Sequence, residues 1–160
     1  MSIEPQVLRQ ALGRYTTGVT IITCLDADGL AVGLTVNSFA ALSLEPPLVL
    51  WSLRRVSPNL PAFEQASHFA VNVLTGQQVE LSRRFTGPAA DRFQDGPWSA
   101  GLGGAPLLAD SLAVFECALD SQQEAGDHQL FIGRVLRLSQ QAEPPLVFQS
   151  GHYRQLGEVL

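Results

Sequence analysis

The chain contains no lysine: all ten of its basic residues are arginine. That absence removes several chemistries together. There is no amine to form a Schiff base, so neither a lysine aldolase nor a pyridoxal phosphate aldimine is open to it. A Walker A phosphate loop lacks its essential cation. Any bound phosphate must meet arginine, hydroxyls or backbone N–H groups. Charge of either kind is sparse, at 16% of residues against about a quarter in ordinary domains. So little charge suggests a face covered by a partner or a ligand. The net charge of −5 disfavours a nucleic-acid partner.

Other signatures are missing as well. The two cysteines, Cys24 and Cys117, form no C-x-x-C, and His68, His128 and His152 are far apart, so no zinc or other metal site is expected. Each cysteine lies in an apolar run and reads as a buried free thiol of a reducing cytoplasm, with a disulfide between them as the alternative. No G-x-S-x-G occurs. The glycines at 101, 103 and 104 do not sit between a strand and a helix, as a dinucleotide loop requires. No run approaches the roughly 18 apolar residues of a membrane helix, and Glu4 and Pro5 interrupt any apolar start. A protein of the cytoplasm, with neither membrane nor signal segment, is therefore expected.

What is present is a core and a strand pattern. The 160 residues suit one domain, 1–160, and 46% are hydrophobic. Val7, Leu8, Ala11, Leu12 and Tyr15 share one face of a helix over 5–15. β-Branched residues from Val19 to Leu25 predict a strand. The Asp26–Gly29 turn leads to a return strand over 30–36. Strands over 39–44 and 48–53 flank Glu45-Pro46-Pro47. Ser57 reads as an N-cap with Pro58 opening a short helix to Gln65. A strand covers 69–74, and Thr75 to Gln78 fits a capping box leading a helix to Phe85. Residues 87–106 carry five Gly and three Pro with no period, and read as a long excursion over a site or a partner. Strands resume over 112–119, 130–138, 146–148 and 153–156. The sum is about eight strands and two or three helices, a mainly β chain forming a closed or nearly closed barrel.

Catalytic groups are harder to find. Asp127-His128 is half a catalytic dyad, or a turn Asp beside a strand-end His. Arg83-Arg84 is a phosphate clamp, or the solvated end of a helix whose dipole favours cations. Gly33-Leu34-Thr35-Val36-Asn37-Ser38-Phe39 sets Thr35, Asn37 and Ser38 among apolar neighbours, with Thr35 and Asn37 on one strand face. It is a hydroxyl-rich wall or simply a strand end. A chain without an acid, base or metal constellation still supports catalysis if a cofactor carries the chemistry.

Taken in order, several segments resemble the short-chain flavin reductase family, the reductase components of two-component flavin monooxygenases. They are Leu8 to Thr20, Gly33 to Phe39, Ser43 to Val49, Ser52, Ser57-Pro58-Asn59, Phe69 to Leu74, Arg84-Phe85, Gly126-Asp127-His128, Gly133-Arg134-Val135 and Tyr153-Arg154. The resemblance spans about Leu8 to Leu156. It implies a split β-barrel of the FMN-binding, Greek-key type that forms a homodimer. It implies FMN, with FAD possible, reduced by NADH or NADPH, and a flavin-dependent monooxygenase as recipient. It also implies roles. Thr35, Val36, Asn37 and Ser38 would line the flavin ring. Ser52, Ser57 and Asn59 would follow the ribityl chain and phosphate, and Arg84 and Phe85 would hold the phosphate end. Gly126, Asp127 and His128 would meet the nicotinamide, with His128 as the catalytic candidate. Tyr153 and Arg154 would close the site near the dimer interface. The alternative reading is a non-catalytic flavin carrier or store.

Overall fold

A computed structural model describes residues 2–88, 90 and 92–160. Helix α1 (Pro5–Gly13) opens the chain, followed by strands β1 (Thr17–Gly18), β2 (Thr20–Leu25), β3 (Ala31–Val36), β4 (Ala40–Ser43) and β5 (Leu48–Arg54). Helix α2 (Leu60–Gln65), strand β6 (His68–Val73) and helix α3 (Val79–Arg84) come next. The remaining strands are β7 (Trp98–Ala100), β8 (Pro106–Leu108), β9 (Ala113–Ala125), β10 (His128–Gln140), β11 (Val147–Gln149) and β12 (His152–Arg154).

Seven strands form one antiparallel sheet in the order β3-β2-β6-β9-β10-β5-β4. Its two edge strands, β3 and β4, are joined in sequence by residues 37–39 alone. So short a link brings the edges together and curls the sheet into a barrel, yet among the described residues no ladder joins them. The barrel is therefore split at this seam. Across the link, the Ser38 hydroxyl donates to the Ser52 carbonyl at 2.9 Å and accepts the Ser52 N–H at 3.1 Å. A second sheet, β1-β11-β12, lies beside the seam.

The apolar residues divide into two clusters. Ile22, Cys24, Val49, Leu53, Phe69, Val71 and Cys117 surround Trp51 and Phe131, whose rings stack at 4.7 Å. Val19, Ile21, Leu74, Phe85, Leu108 and Leu146 form the second cluster, with Phe93, Trp98 and Tyr153 packed on it. β2 lies between them: Ile22 and Cys24 face one cluster, Ile21 the other. Burial on both faces explains its continuous β-branched run. Both cysteines are buried and free, and burial pushes each thiol up to about 12.

Four expectations change. The excursion over 87–106 is not structureless: it holds β7, which pairs with β8 starting at its last residue, while Ala89 and Asp91 lie outside the described residues. Asn72, fully buried, ties this hairpin down by accepting the Leu108 N–H at 2.9 Å. Its amide donates to the Ile21 carbonyl at 3.0 Å, and the Thr23 hydroxyl donates to the Pro106 carbonyl at 2.6 Å. Tertiary hydrogen bonds of this kind leave no trace in periodicity. Second, β9 and β10 outrun their apolar stretches at the polar end, and a turn at Gly126-Asp127 joins them. Ser121 to Ala125 pair although they are exposed. Third, Asn59 rather than Ser57 occupies the N-cap position of α2, without a side-chain cap bond, and the Ser57 hydroxyl accepts the Asn59 N–H at 3.2 Å. Fourth, the described residues hold twelve strands, because pieces as short as β1 and β12 fall below what alternation reveals. The Thr75–Gln78 signal does appear, with the Gln78 side chain accepting the Thr75 N–H at 3.0 Å.

Candidate functional site

The seam of the barrel carries a small frame of hydroxyls. Thr35, at the end of β3, donates to the Ser82 carbonyl at 2.8 Å, and its N–H reaches the Phe85 carbonyl at 3.3 Å. The buried Ser82 hydroxyl meets the Tyr153 hydroxyl at 2.7 Å. Tyr153 packs edge-on to Phe148 at 5.6 Å, and the Arg83 guanidinium lies 5.5 Å from its ring centre. Strand β3, helix α3 and strand β12 are thus locked together at side chains with polar ends. Beside the frame is a cavity of about 160 Å³ lined by Val19, Thr35, Val36, Asn37, Thr86, Phe148 and Tyr153. Asn37 is exposed, so its amide is open to a ligand.

Gly33 and Arg92 support this wall from behind, and sequence reasoning missed what both do. A Cβ at Gly33 would stand 2.9 Å from both Phe85 and Phe93, so any larger residue would push the rings or the strand away. The Arg92 guanidinium donates to the Gly33 carbonyl at 2.6 Å and to the Gly87 carbonyl at 2.5 Å. It has no acidic partner among the described residues, and desolvation lowers its pKa. The only sequence signal was a lone arginine inside a run without period.

Of the residues expected to line a flavin, Thr35, Val36, Asn37 and Tyr153 meet at this cavity. Ser38 and Ser52 bond each other just beyond it. Arg84 is exposed at the end of α3 and donates to the Gln94 carbonyl at 3.0 Å. Arg154 is exposed on β12. Phe85 is different: its ring is buried in the second cluster, 5.0 Å from Phe93, and only its carbonyl reaches the wall.

Gly126, Asp127 and His128 lie elsewhere, at the tip of the β9–β10 hairpin, where Gly126 adopts a φ of +61° suited to glycine. The Asp127 carboxylate is 2.8 Å from His128 Nδ1. That hydrogen bond and the imidazole charge hold the Asp127 carboxyl below its ordinary value. The Arg55 N–H donates to the Asp127 carbonyl at 2.9 Å. His128 pairs with Arg54, two residues along β5 from Ser52. β5 and the Ser57–Asn59 turn therefore connect the two groups, but His128 does not line the Thr35 cavity.

Hydroxyls, one exposed amide and an apolar slot, with the exposed Arg84 at the end of α3, suit a flat heteroaromatic ring with an anionic tail. They do not make an acid–base pair. Residues 12–157 match the flavin reductase like domain. The chain belongs to that family. The FMN reductase (NADH) SmoA of Agrobacterium fabrum is 45% identical over 145 residues, covering 91% of this chain and 82% of that protein. The reductase subunit HsaB of a flavin-dependent monooxygenase of Rhodococcus jostii is 44% identical over 153 residues, covering 95% of this chain and 78% of its own length. The NADH:FAD oxidoreductase SgcE6 of Streptomyces globisporus superposes with a TM-score of 0.91 at 32% identity, over 100% of this chain and 99% of that one.

Proposed function

We propose that this protein is an NAD(P)H-dependent flavin reductase in which the Thr35 wall receives the flavin and the hairpin tip receives the nicotinamide. The observation that carries the site assignment is the bonded frame of Thr35, Ser82 and Tyr153 around an apolar slot. The residues fit a flavin: apolar faces for the ring, neutral donors for its polar edge, and arginine for its phosphate. When bound, the flavin accepts a hydride from the nicotinamide. The chain's own part is binding and orientation. Asn37 and backbone N–H groups from Val36 to Ser38 would supply neutral donors to a ring edge that gains negative charge. Ser52, Ser57 and Asn59 line the path of a polar chain. Arg84 offers a planar fork to the phosphate. His128, steered by Asp127, orients the nicotinamide amide.

The acceptor is FMN or FAD and the donor NADH or NADPH. Relatives such as HsaB are named as reductase subunits, which supports a flavin-dependent monooxygenase as recipient of the reduced flavin. A homodimer is supported by Leu42 and Leu44, exposed at 47% and 95%, and by exposed Leu136, around the row where Ser43, Leu48 and Arg134 align. No helix among the described residues is long and apolar enough to cross a membrane, and the acidic, lysine-free surface fits neither nucleic acid nor anionic lipid. We place the protein in the cytoplasm, the reducing compartment that its free thiols suit.

The test is to mix purified protein with NADH or NADPH and free FMN or FAD, and to follow nicotinamide absorbance. Flavin-dependent loss is expected. Flavin binding without oxidation of either nicotinamide would make the protein a carrier or store instead.

A further inference from the structure

A second groove adjoins the Thr35 cavity and shares Asn37 and Phe148 with it. Its volume is about 1030 Å³, against about 160 Å³ for the cavity. Sites for small organic ligands run to roughly 300–1,000 Å³, so the cavity alone is too small for a dinucleotide and the groove supplies the missing room. The groove exists because α1 stands away from the barrel. None of its residues is buried, and Ser150 fastens its end by donating its N–H to the Gly13 carbonyl at 2.8 Å.

The lining is chemically one-sided. Arg9 and Arg14 face the groove, and no aspartate or glutamate does. Four other arginines, at 55, 83, 134 and 137, are paired with carboxylates. Arg9 and Arg14, like Arg54, Arg84, Arg92 and Arg154, have no acidic partner among the described residues, and of these six only Arg9 and Arg14 line this groove. In a chain of net charge −5, two free guanidinium groups on an acid-free groove make a local positive field that selects anions. Tyr15, 79% exposed, offers a flat apolar face at the same groove. At the floor, the buried Thr17 hydroxyl has no hydrogen-bond partner.

We propose that this groove holds the adenosine diphosphate arm of a dinucleotide substrate, with Arg9 and Arg14 on the pyrophosphate and Tyr15 against the adenine. The inference rests on the flavin reductase reading and deepens it. Two dinucleotides carry that arm, FAD and the reduced nicotinamide, and both would extend from the shared residues Asn37 and Phe148.

The experiment compares the full-length chain with Arg9→Ala/Arg14→Ala and with Arg9→Lys/Arg14→Lys. Binding of FAD, FMN and ADP is measured by fluorescence titration or calorimetry, and KM for NADH is measured with FMN as acceptor. Loss of two charge-assisted contacts should weaken ADP about tenfold or more. If FAD supplies the arm, FAD weakens equally while FMN moves less than twofold. If the nicotinamide supplies it, KM for NADH rises about tenfold with both flavins unchanged. The lysine variant should recover part of the loss, because it keeps the charge without the fork. Either pattern supports the proposal. It is overturned if FAD, ADP and NADH all stay within twofold, or if FMN and FAD weaken alike, which would put the arginines on the flavin phosphate. Absence of any NADH oxidation by the unmodified protein would instead remove the reductase reading itself.

Discussion

The two ends of the proposed site are built differently. At the Thr35 end, three elements that are distant in sequence meet through buried or half-buried hydroxyls, and Gly33, Arg92 and the aromatic cluster brace them from behind. At the His128 end a hairpin turns in solvent, with one side-chain pair and one backbone bond from Arg55. Preorganisation lowers the cost of binding where the geometry is already fixed. A flavin reductase needs a fixed ring before a nicotinamide can be stacked on it. The nicotinamide must also enter and leave in each turnover, and an exposed turn permits that. On the proposed assignment, affinity belongs to the first end and turnover to the second, and substitutions can break that division.

The largest effect is expected for Arg84→Ala. If its guanidinium holds the flavin phosphate, losing that charge-assisted contact weakens FMN by about 1.5–3 kcal/mol, a shift of roughly 10- to 150-fold in Kd. Riboflavin, which has no phosphate, should bind as before. Equal weakening of both ligands in a fluorescence titration would take Arg84 off the phosphate.

Next comes Tyr153→Phe, which removes a hydroxyl and leaves the buried Ser82 oxygen without that partner. A cost near 1 kcal/mol is expected in both thermal stability and flavin affinity. The two readouts should move together, because this end is simultaneously fold and site. A change in stability with unaltered flavin affinity would show that the frame serves only the fold.

This double role explains what could be read from the sequence. β2 was legible because its β-branched run is buried on both sides, β6 because its mostly apolar stretch is buried too, and the Thr75–Gln78 turn because its bonds are local. Thr35, Asn37 and Ser38 stood out as hydroxyls and an amide among apolar residues. Ser82 did not, because its partner Tyr153 lies 71 positions away. Arg92 and Gly33 were equally silent, since a carbonyl acceptor and a ring stacked where a Cβ would go depend wholly on tertiary approach. The same holds for Phe85, whose chain position beside Arg84 suggested a ligand contact while its ring completes the core. The polar ends of β9 and β10 were missed because alternation detects a half-buried strand, and these strands run into solvent beyond the barrel.

For the other end, His128→Ala should slow NADH oxidation about two- to tenfold, the worth of one positioned hydrogen bond. Flavin affinity and melting temperature should stay where they were. Unaltered turnover would remove His128 from the reaction, and a fall in flavin affinity would erase the division between the two ends.

The smallest effect belongs to Asp127→Asn. The native Asp127 pKa is depressed by His128, so whatever the ionised pair contributes is present above the ordinary carboxylate pKa and lost as pH falls through the native value. The carboxylate is therefore charged throughout the neutral range, and turnover should show no inflection from it there. The carboxylate is fully exposed, so the stability change on substitution should be slight. What Asp127 can supply is the aim of the imidazole through Nδ1, and asparagine retains an oxygen that can accept the same bond. KM for NADH should therefore rise less in Asp127→Asn than in His128→Ala, with flavin binding unmoved in both. If the asparagine variant were the more damaged of the two, Asp127 would be touching the nicotinamide itself rather than acting through its neighbour.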